Sequence, residues 1–286
     1  MCGIVGYWSH RDLSHEKVIK KMASTLAYRG PDDSGSWHDS SCGLALGHRR
    51  LAIVDLSPLG HQPMKDSTGR FVISFNGEIY NFPQIRRELQ EMGVSFRSST
   101  DTEVILASVL KWGLEAAIQR FIGMFAFALW DNRDRTLYLV RDRLGIKPLY
   151  YGWINGSLVF ASELKAIMAF PGFDASINRK ALALYMRYNY VPTPYSIYNN
   201  VFKLEPGHFA KITAPEESQF KSTEYWSATS VAASGLENPI SVSEDEAIQQ
   251  LEALTSEAIK CRMIADVPLG AFLSGGIDSS TVVALM

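Results

Sequence analysis

The chain opens Met1-Cys2-Gly3-Ile4-Val5-Gly6-Tyr7-Trp8, so a thiol heads a short apolar strand at the very start of the sequence. The small side chain at position 2 favours excision of Met1, and that would leave one residue carrying both a thiol and a free α-amine. Such an amine has an ordinary pKa of roughly 7.7–8.0, so a useful fraction is unprotonated near neutral pH. It can then act as general base toward its own side chain, the arrangement of an N-terminal nucleophile. The hexapeptide Met1–Gly6 is equally consistent with a small apolar thiol beginning a buried strand.

Composition narrows the choice of chemistry. Twenty-eight basic against thirty acidic residues give a net charge of −2. That balance offers no electrostatic case for nucleic acid or an anionic membrane surface. The apolar run Met124–Trp130 falls far short of the roughly 18 residues of a membrane span. Cys2, Cys42 and Cys261 have neither metal-ligand nor disulfide-framework spacing. The expected compartment is the reducing cytoplasm.

Strands are expected at 2–8, 43–47, 51–54, 71–75, 123–130, 136–141 and 157–161, and helices at 14–27, 83–92 and 101–112. Thr100 and Glu103 read as a capping box opening the last helix. Gly145-Ile146-Lys147-Pro148 reads as a turn. Residues 2–210 are expected to form one domain. Residues 211–243, which include Ala214-Pro215-Glu216-Glu217-Ser218, read as a polar linker. A second capping box, Ser243 with Glu246, starts a helix with Ile248, Leu251 and Leu254 on one face. Val267–Leu273 suits a doubly buried strand, and an apolar helix follows Ser280. One helix, one strand and a cut helix cannot bury a core, so residues 244–286 read as the beginning of a larger domain, truncated here.

Between that strand and the last helix stands Leu273-Ser274-Gly275-Gly276-Ile277-Asp278-Ser279-Ser280. Strand, glycine loop and helix together aim backbone amides and a helix N-terminus at one anion. No lysine occupies the Walker position. Asp278 among phosphate oxygens calls for a cation, and Mg²⁺ suits oxygen ligands; an ordinary strand-to-helix turn capped by Asp278 or Ser279 is the alternative. Near the start of the chain, Asn76-Gly77 reads as an exposed pair ending a strand, offering an amide and a backbone N–H to an oxyanion or making a hairpin turn. Arg50 is a candidate for a bidentate carboxylate contact or a solvated basic turn. Asp101 reads more simply as a favourable charge at a helix start.

Taken together, Met1-Cys2-Gly3-Ile4, Arg29-Gly30-Pro31-Asp32, His48-Arg49-Arg50-Leu51-Ala52-Ile53-Val54-Asp55, Gly60-His61-Gln62-Pro63-Met64, Asn76-Gly77-Glu78-Ile79-Tyr80-Asn81, Thr100-Asp101-Thr102-Glu103, Arg141–Tyr150 and Ser274–Ser280 resemble the glutamine-hydrolysing asparagine synthetase family, whose glutaminase is a class II amidotransferase. The resemblance implies an α+β fold. A four-layer αββα glutaminase domain would be followed by the start of a doubly wound α/β ATP-pyrophosphatase domain. It implies Cys2 as nucleophile and Asn76 and Gly77 as oxyanion donors. Arg50, Leu51, Ala52, Ile53, Val54, Glu78 and Asp101 would bind glutamine, with Arg50 on its α-carboxylate. Leu273, Ser274, Gly275, Gly276, Ile277, Asp278, Ser279 and Ser280 would bind ATP, with Asp278 on Mg²⁺. Ammonia would attack β-aspartyl-AMP made from aspartate, releasing AMP and pyrophosphate and giving asparagine. Homodimers are common in the family. Amination of a different carboxylate, or a non-catalytic module, are the other readings. The chain by itself is expected to act as a glutaminase and to make no asparagine.

Overall fold

The computed structural model describes residues 1–216 and 221–286; Glu217 and Ser218 of the polar stretch lie outside the described residues. In chain order the elements are β1 (Gly3–Trp8), α1 (His15–Ser24), β2 (Asp33–Asp39), β3 (Leu44–Arg50), β4 (Met64–Lys65), β5 (Phe71–Ile79), α2 (Phe82–Glu91), α3 (Asp101–Trp112) and α4 (Leu114–Arg120), with a 3₁₀ turn at Pro58–Gly60. They continue with β6 (Gly123–Asp131), β7 (Thr136–Arg141), β8 (Tyr150–Ile154), β9 (Ser157–Ala161), α5 (Leu164–Met168), α6 (Arg179–Tyr188), β10 (Val201–Lys203), β11 (His208–Ile212), β12 (Ser222–Glu224), α7 (Ala228–Glu237), α8 (Glu244–Lys260) and α9 (Ile277–Leu285).

The strands form two six-stranded antiparallel sheets, ordered β10-β8-β9-β1-β3-β2 and β12-β11-β7-β6-β5-β4. Three apolar clusters explain the layering. Ile4, Trp8, Leu46, Val72, Trp130, Leu139 and Phe160 come from both sheets and fill the space between them. On the outer face of the first sheet Val5, Tyr7 and Ala45 meet Ile19, Met22 and Leu26 of α1 and its C-terminal turn. On the outer face of the second, Ile73, Phe75 and Phe127 meet Leu89 of α2 and Val104, Ile105 and Val109 of α3. Strands buried on both faces must be apolar on both, and β1 is buried at every position. Each large side chain so enclosed contributes roughly 1.5–3 kcal/mol of burial free energy. The result is the α–β–β–α stack.

Several expectations need correction. Residues 51–54 form no strand but a loop: their backbone is taken by separate partners, Leu51 by the Cys2 thiol, Ala52 N by Asp32, Ile53 O by Asp266 N and Val54 O by Arg50. Asn76 and Gly77 are not an exposed strand end. β5 continues to Ile79, pairing Asn76 with Ala126 and Gly77 with Phe125, and Asn76 is 1% exposed. The first capping box is only half formed. Thr100 Oγ1 accepts from Glu103 N at 3.2 Å, while the Glu103 carboxylate turns to the N–H groups of Arg97 and Ser98. The second box, Ser243 with Glu246, is complete. Val267–Leu273 forms no strand; Phe272 stands fully exposed, with no neighbouring strand to pair it. Within 211–243 lie the end of β11, β12 and α7.

Candidate active site

β1 is a middle strand of its sheet, flanked by β3 and β9. Its antiparallel register sets Gly3 against Arg49, so Cys2 emerges beside the turn that leaves β3. There Leu51 N donates to Cys2 Sγ at 3.4 Å and the thiol faces Leu51 O at 3.6 Å. Arg29 fastens the same residue from behind: its Nε donates to Cys2 O at 2.8 Å and its Nη1 to Glu163 at 2.7 Å. Burial pushes the Cys2 thiol above its ordinary pKa. It also pulls the α-amine at the chain start below its own, with Arg29 and Lys147 acting in the same direction. The Cys2 thiol is held neutral next to the weakened ammonium of Met1.

Opposite Cys2 lies the outer edge of β5. Along an antiparallel strand N–H groups point alternately to either side. Phe75 N donates outward to Gln62 Oε1 at 2.7 Å and Ile79 N to Asp101 Oδ2 at 3.0 Å. Gly77 N, midway between them, points to the same edge. β4 covers that edge only at Val72 and Ile73, so it is open where Gly77 stands. Any side chain at Gly77 would collide with β6, since a Cβ would come within 2.2 Å of Met124 O. The Asn76 amide is buried with neither its nitrogen nor its oxygen hydrogen bonded. A buried amide in that condition is costly unless something else enters the space beside it.

The loop after β3 completes the wall. Arg50 is buried and gives Nη1 to Ser57 O at 3.1 Å and Nη2 to Val54 O at 3.4 Å and to Asp55 O. Three of its five donors are thus committed to shaping the loop and two remain. Gly60 lets the guanidinium lie flat against the 3₁₀ turn, because a Cβ there would sit 1.9 Å from Nη2. Asp55, at φ 57°, accepts from Ser57 N at 3.0 Å and from Ser99 N at 2.8 Å, tying the loop to the approach to α3.

These parts enclose a cavity of about 410 Å³. Of the expected residues Cys2, Arg50, Leu51, Ile53, Val54, Asn76, Gly77, Glu78 and Asp101 line it. Ala52 does not; its N–H turns to Asp32 Oδ2 at 2.8 Å. Burial raises the Asp101 carboxyl to about 6 and also lifts Glu78. His48 is not part of the cavity. Burial lowers it to about 4, its Nε2 donates to Phe75 O at 2.8 Å, and it is a neutral strut between the sheets. Leu273–Ser280 lie elsewhere, all exposed apart from half-buried Ser279. Gly275 adopts φ 82°, Ser274 and Ser279 hydroxyls meet at 2.9 Å, and α9 starts with no side chain capping its amides.

The family model for the glutamine amidotransferase domain matches residues 1–226. The chain belongs to this amidotransferase family. A second model, asparagine synthase, matches residues 250–286. Asparagine synthetase [glutamine-hydrolyzing] 1 of Bacillus subtilis (strain 168) is 39% identical over the whole chain, which spans 44% of that relative. Asparagine synthetase [glutamine-hydrolyzing] 3 of the same organism is 34% identical, with 45% of its length covered. The chain therefore spans under half the length of both. Among solved structures, glutamine phosphoribosylpyrophosphate amidotransferase from B. subtilis superposes with a TM-score of 0.59 at 19% identity, over 78% of this chain and 49% of that one, a likeness of fold. The four-layer N-terminal nucleophile architecture of the amidotransferase domain agrees with it.

Within the amidotransferase domain the sequence reading passed over Gln62, Thr102, Met124, Ile146 and Lys147, all on the cavity wall. Lys147 matters most. Its ammonium is 3.2 Å from Met1 Sδ, and burial lowers its pKa while Glu78 opposes the shift. It is placed by its neighbours. Asp142 accepts from the N–H groups of Leu144, Ile146 and Lys147, and Arg141 Nε donates to Lys147 O at 2.9 Å. The charged pair Arg141-Asp142 just before a Gly-x-Lys-Pro turn was the available signal.

Proposed function

We propose that this chain hydrolyses glutamine at Cys2, and that in a longer protein the ammonia serves ATP-dependent synthesis of asparagine from aspartate. The observation that carries the first half is the pairing of Cys2 Sγ with the buried, unpartnered Asn76 amide across one cavity. Once Met1 is removed, the Cys2 amine takes the thiol proton. The resulting thiolate adds to the side-chain carbonyl carbon of glutamine. Charge developing on the carbonyl oxygen is met by Asn76 Nδ2 and Gly77 N–H, donors that need no reorganisation. The tetrahedral centre collapses as the ammonium proton passes to the leaving nitrogen, releasing ammonia and leaving a γ-glutamyl thioester. Water then cleaves the thioester with the amine again as base. Among the described residues no histidine lines the cavity, which supports the amine in that role. Glutamine would be held at its α-carboxylate by an uncommitted N–H of Arg50, and at its α-ammonium by Asp101, Glu78 and carbonyls of the 51–54 loop.

The second half rests on the match of residues 250–286 to asparagine synthase and on the open loop before α9. Leu273–Ser280 would receive ATP phosphates on backbone amides and hydroxyls. Mg²⁺ is held by one or two carboxylates together with substrate phosphates. A lone Asp278 among serine hydroxyls fits that donor set, and the ion would neutralise phosphate charge. A cytoplasmic setting accords with the helices described, none of which is long and apolar enough to cross a membrane. A homodimer is part of the same proposal, by analogy of family only.

Glutamate release by the purified chain tests the reading. Cys2→Ala should abolish it, and Asn76→Ala should lower kcat by roughly 10²–10³-fold with little change in KM. Undiminished hydrolysis by Cys2→Ala would overturn the assignment.

A further inference from the structure

The segment after α8 doubles back onto the wall of the cavity. Asp266 N donates to Ile53 O at 2.8 Å, and Asp266 Oδ2 accepts from Asp55 N at 2.7 Å, so one residue grips the loop through both backbone and side chain. Four residues earlier in the chain, the Arg262 guanidinium stacks 4.5 Å over the ring of Tyr80, which directly follows β5. The two contacts fall on the two sides of the cavity: the 53–55 loop beyond β3, and the end of the strand that carries Asn76, Gly77 and Glu78.

The gripped loop needs help to keep its shape. Asp55 holds a left-handed conformation that is uncommon for a non-glycine residue. Its side chain is spent on Ser57 and Ser99, and its carbonyl on Arg50. Its own N–H is the group that Asp266 occupies. Releasing it would leave Ile53 and Val54, which line the cavity, free to relax, and with them the Val54 carbonyl that holds Arg50 Nη2.

We infer that Asp266 is a positioning residue for glutamine, and that residues 262–266 form a strap holding the binding loop and the oxyanion strand at a fixed separation. Asp266 touches no substrate in this arrangement. It acts on ground-state binding through the loop and leaves the sulfur and the Asn76 amide where they are. The inference rests on the glutaminase reading above. Asp266 itself is exposed, so its replacement removes no core packing.

The test is steady-state hydrolysis by the 286-residue chain, with glutamine affinity read independently from protection of Cys2 against iodoacetamide. Asp266→Ala should raise both KM and the half-protecting glutamine concentration at least fivefold, with kcat within twofold and an unchanged melting temperature. Asp266→Asn, which keeps an oxygen for Asp55 N, should restore KM to within twofold of the parent. If the alanine variant does not fold, Asp266→Glu, which displaces the carboxylate by one methylene, should show the same rise in KM. An unchanged KM in whichever variant folds would overturn the strap while leaving the glutaminase reading intact. A parent chain that releases no glutamate would instead overturn that reading.

Discussion

Asp101 shows how one buried carboxylate serves two ends. At the start of α3 its carboxyl meets the backbone N–H groups of Asp101 and Thr102. Its Oδ2 also takes the N–H of Ile79, pinning α3 to the end of β5, while burial holds its pKa up at about 6. A carboxylate meant to receive an α-ammonium must be ionised, so the consequence for pH has a definite sign. Above about pH 6 Asp101 is charged and, in the proposed role, would hold glutamine. As pH falls through that value the free enzyme takes up a proton there and the ion pair is lost. The kcat/KM profile for glutamine should therefore show an acid limb near pH 6, and Asp101→Asn should remove the limb while lowering the plateau. A profile flat down to pH 5 in the parent would contradict the assigned role.

Thr100, immediately before α3, fixes where that helix begins. Its hydroxyl accepts from Glu103 N and meets the Ser98 hydroxyl at 2.8 Å, while Glu103 draws in Ser98 and Arg97. Thr100→Ala should cost about 1 kcal/mol, the usual worth of an N-cap. In a domain of this size that amounts to a drop of roughly 2–4 °C in Tm, measurable by calorimetry. α3 was legible from the sequence end to end, because its cap and its apolar face agree. β2 was not: Asp33-Ser34-Gly35-Ser36-Trp37-His38-Asp39 is polar at an edge and its pairing with β3 is dictated by its neighbour. The loop at 51–54 misled in the opposite direction, since its apolar side chains suit a strand but its backbone pairs with separate groups, Cys2, Asp32, Asp266 and Arg50, and with no neighbouring strand. Cys2 and Asn76 could be picked out by residue type and context. Gln62 reaches the cavity only because two sheets bring distant segments to one rim, which no local pattern announces, and for Lys147 the Arg141-Asp142 pair marks an anchored turn without saying which rim the turn meets.

Every buried member of the three apolar clusters lies at or before Ile212. Beyond Ser227 the character is different: α8 has no buried residue, and Ile248, Leu251 and Leu254 stand open along it. The two-sheet body should thus stand without the later helices. A chain ended after Ser227 keeps the Tyr225 hydroxyl on Arg141 O and Trp226 N on Gly207 O. It should melt within a few degrees of the parent, scatter less light at high concentration and keep kcat, with KM raised as in Asp266→Ala. Neither chain should form asparagine from aspartate, ATP and glutamine. Net asparagine in a chromatographic assay of either would show that a synthetase centre is complete within residues 1–286.

The head of β1 sits flush with the cavity wall, with Met1 resting against the Lys147 ammonium. Anything fused ahead of Cys2, a purification tag or an uncleaved leader, has to leave past that lysine and ties up the amine as a peptide bond. On the proposed mechanism an affinity handle for this protein belongs on its far end, and a recombinant sample carrying one in front should do no work on glutamine.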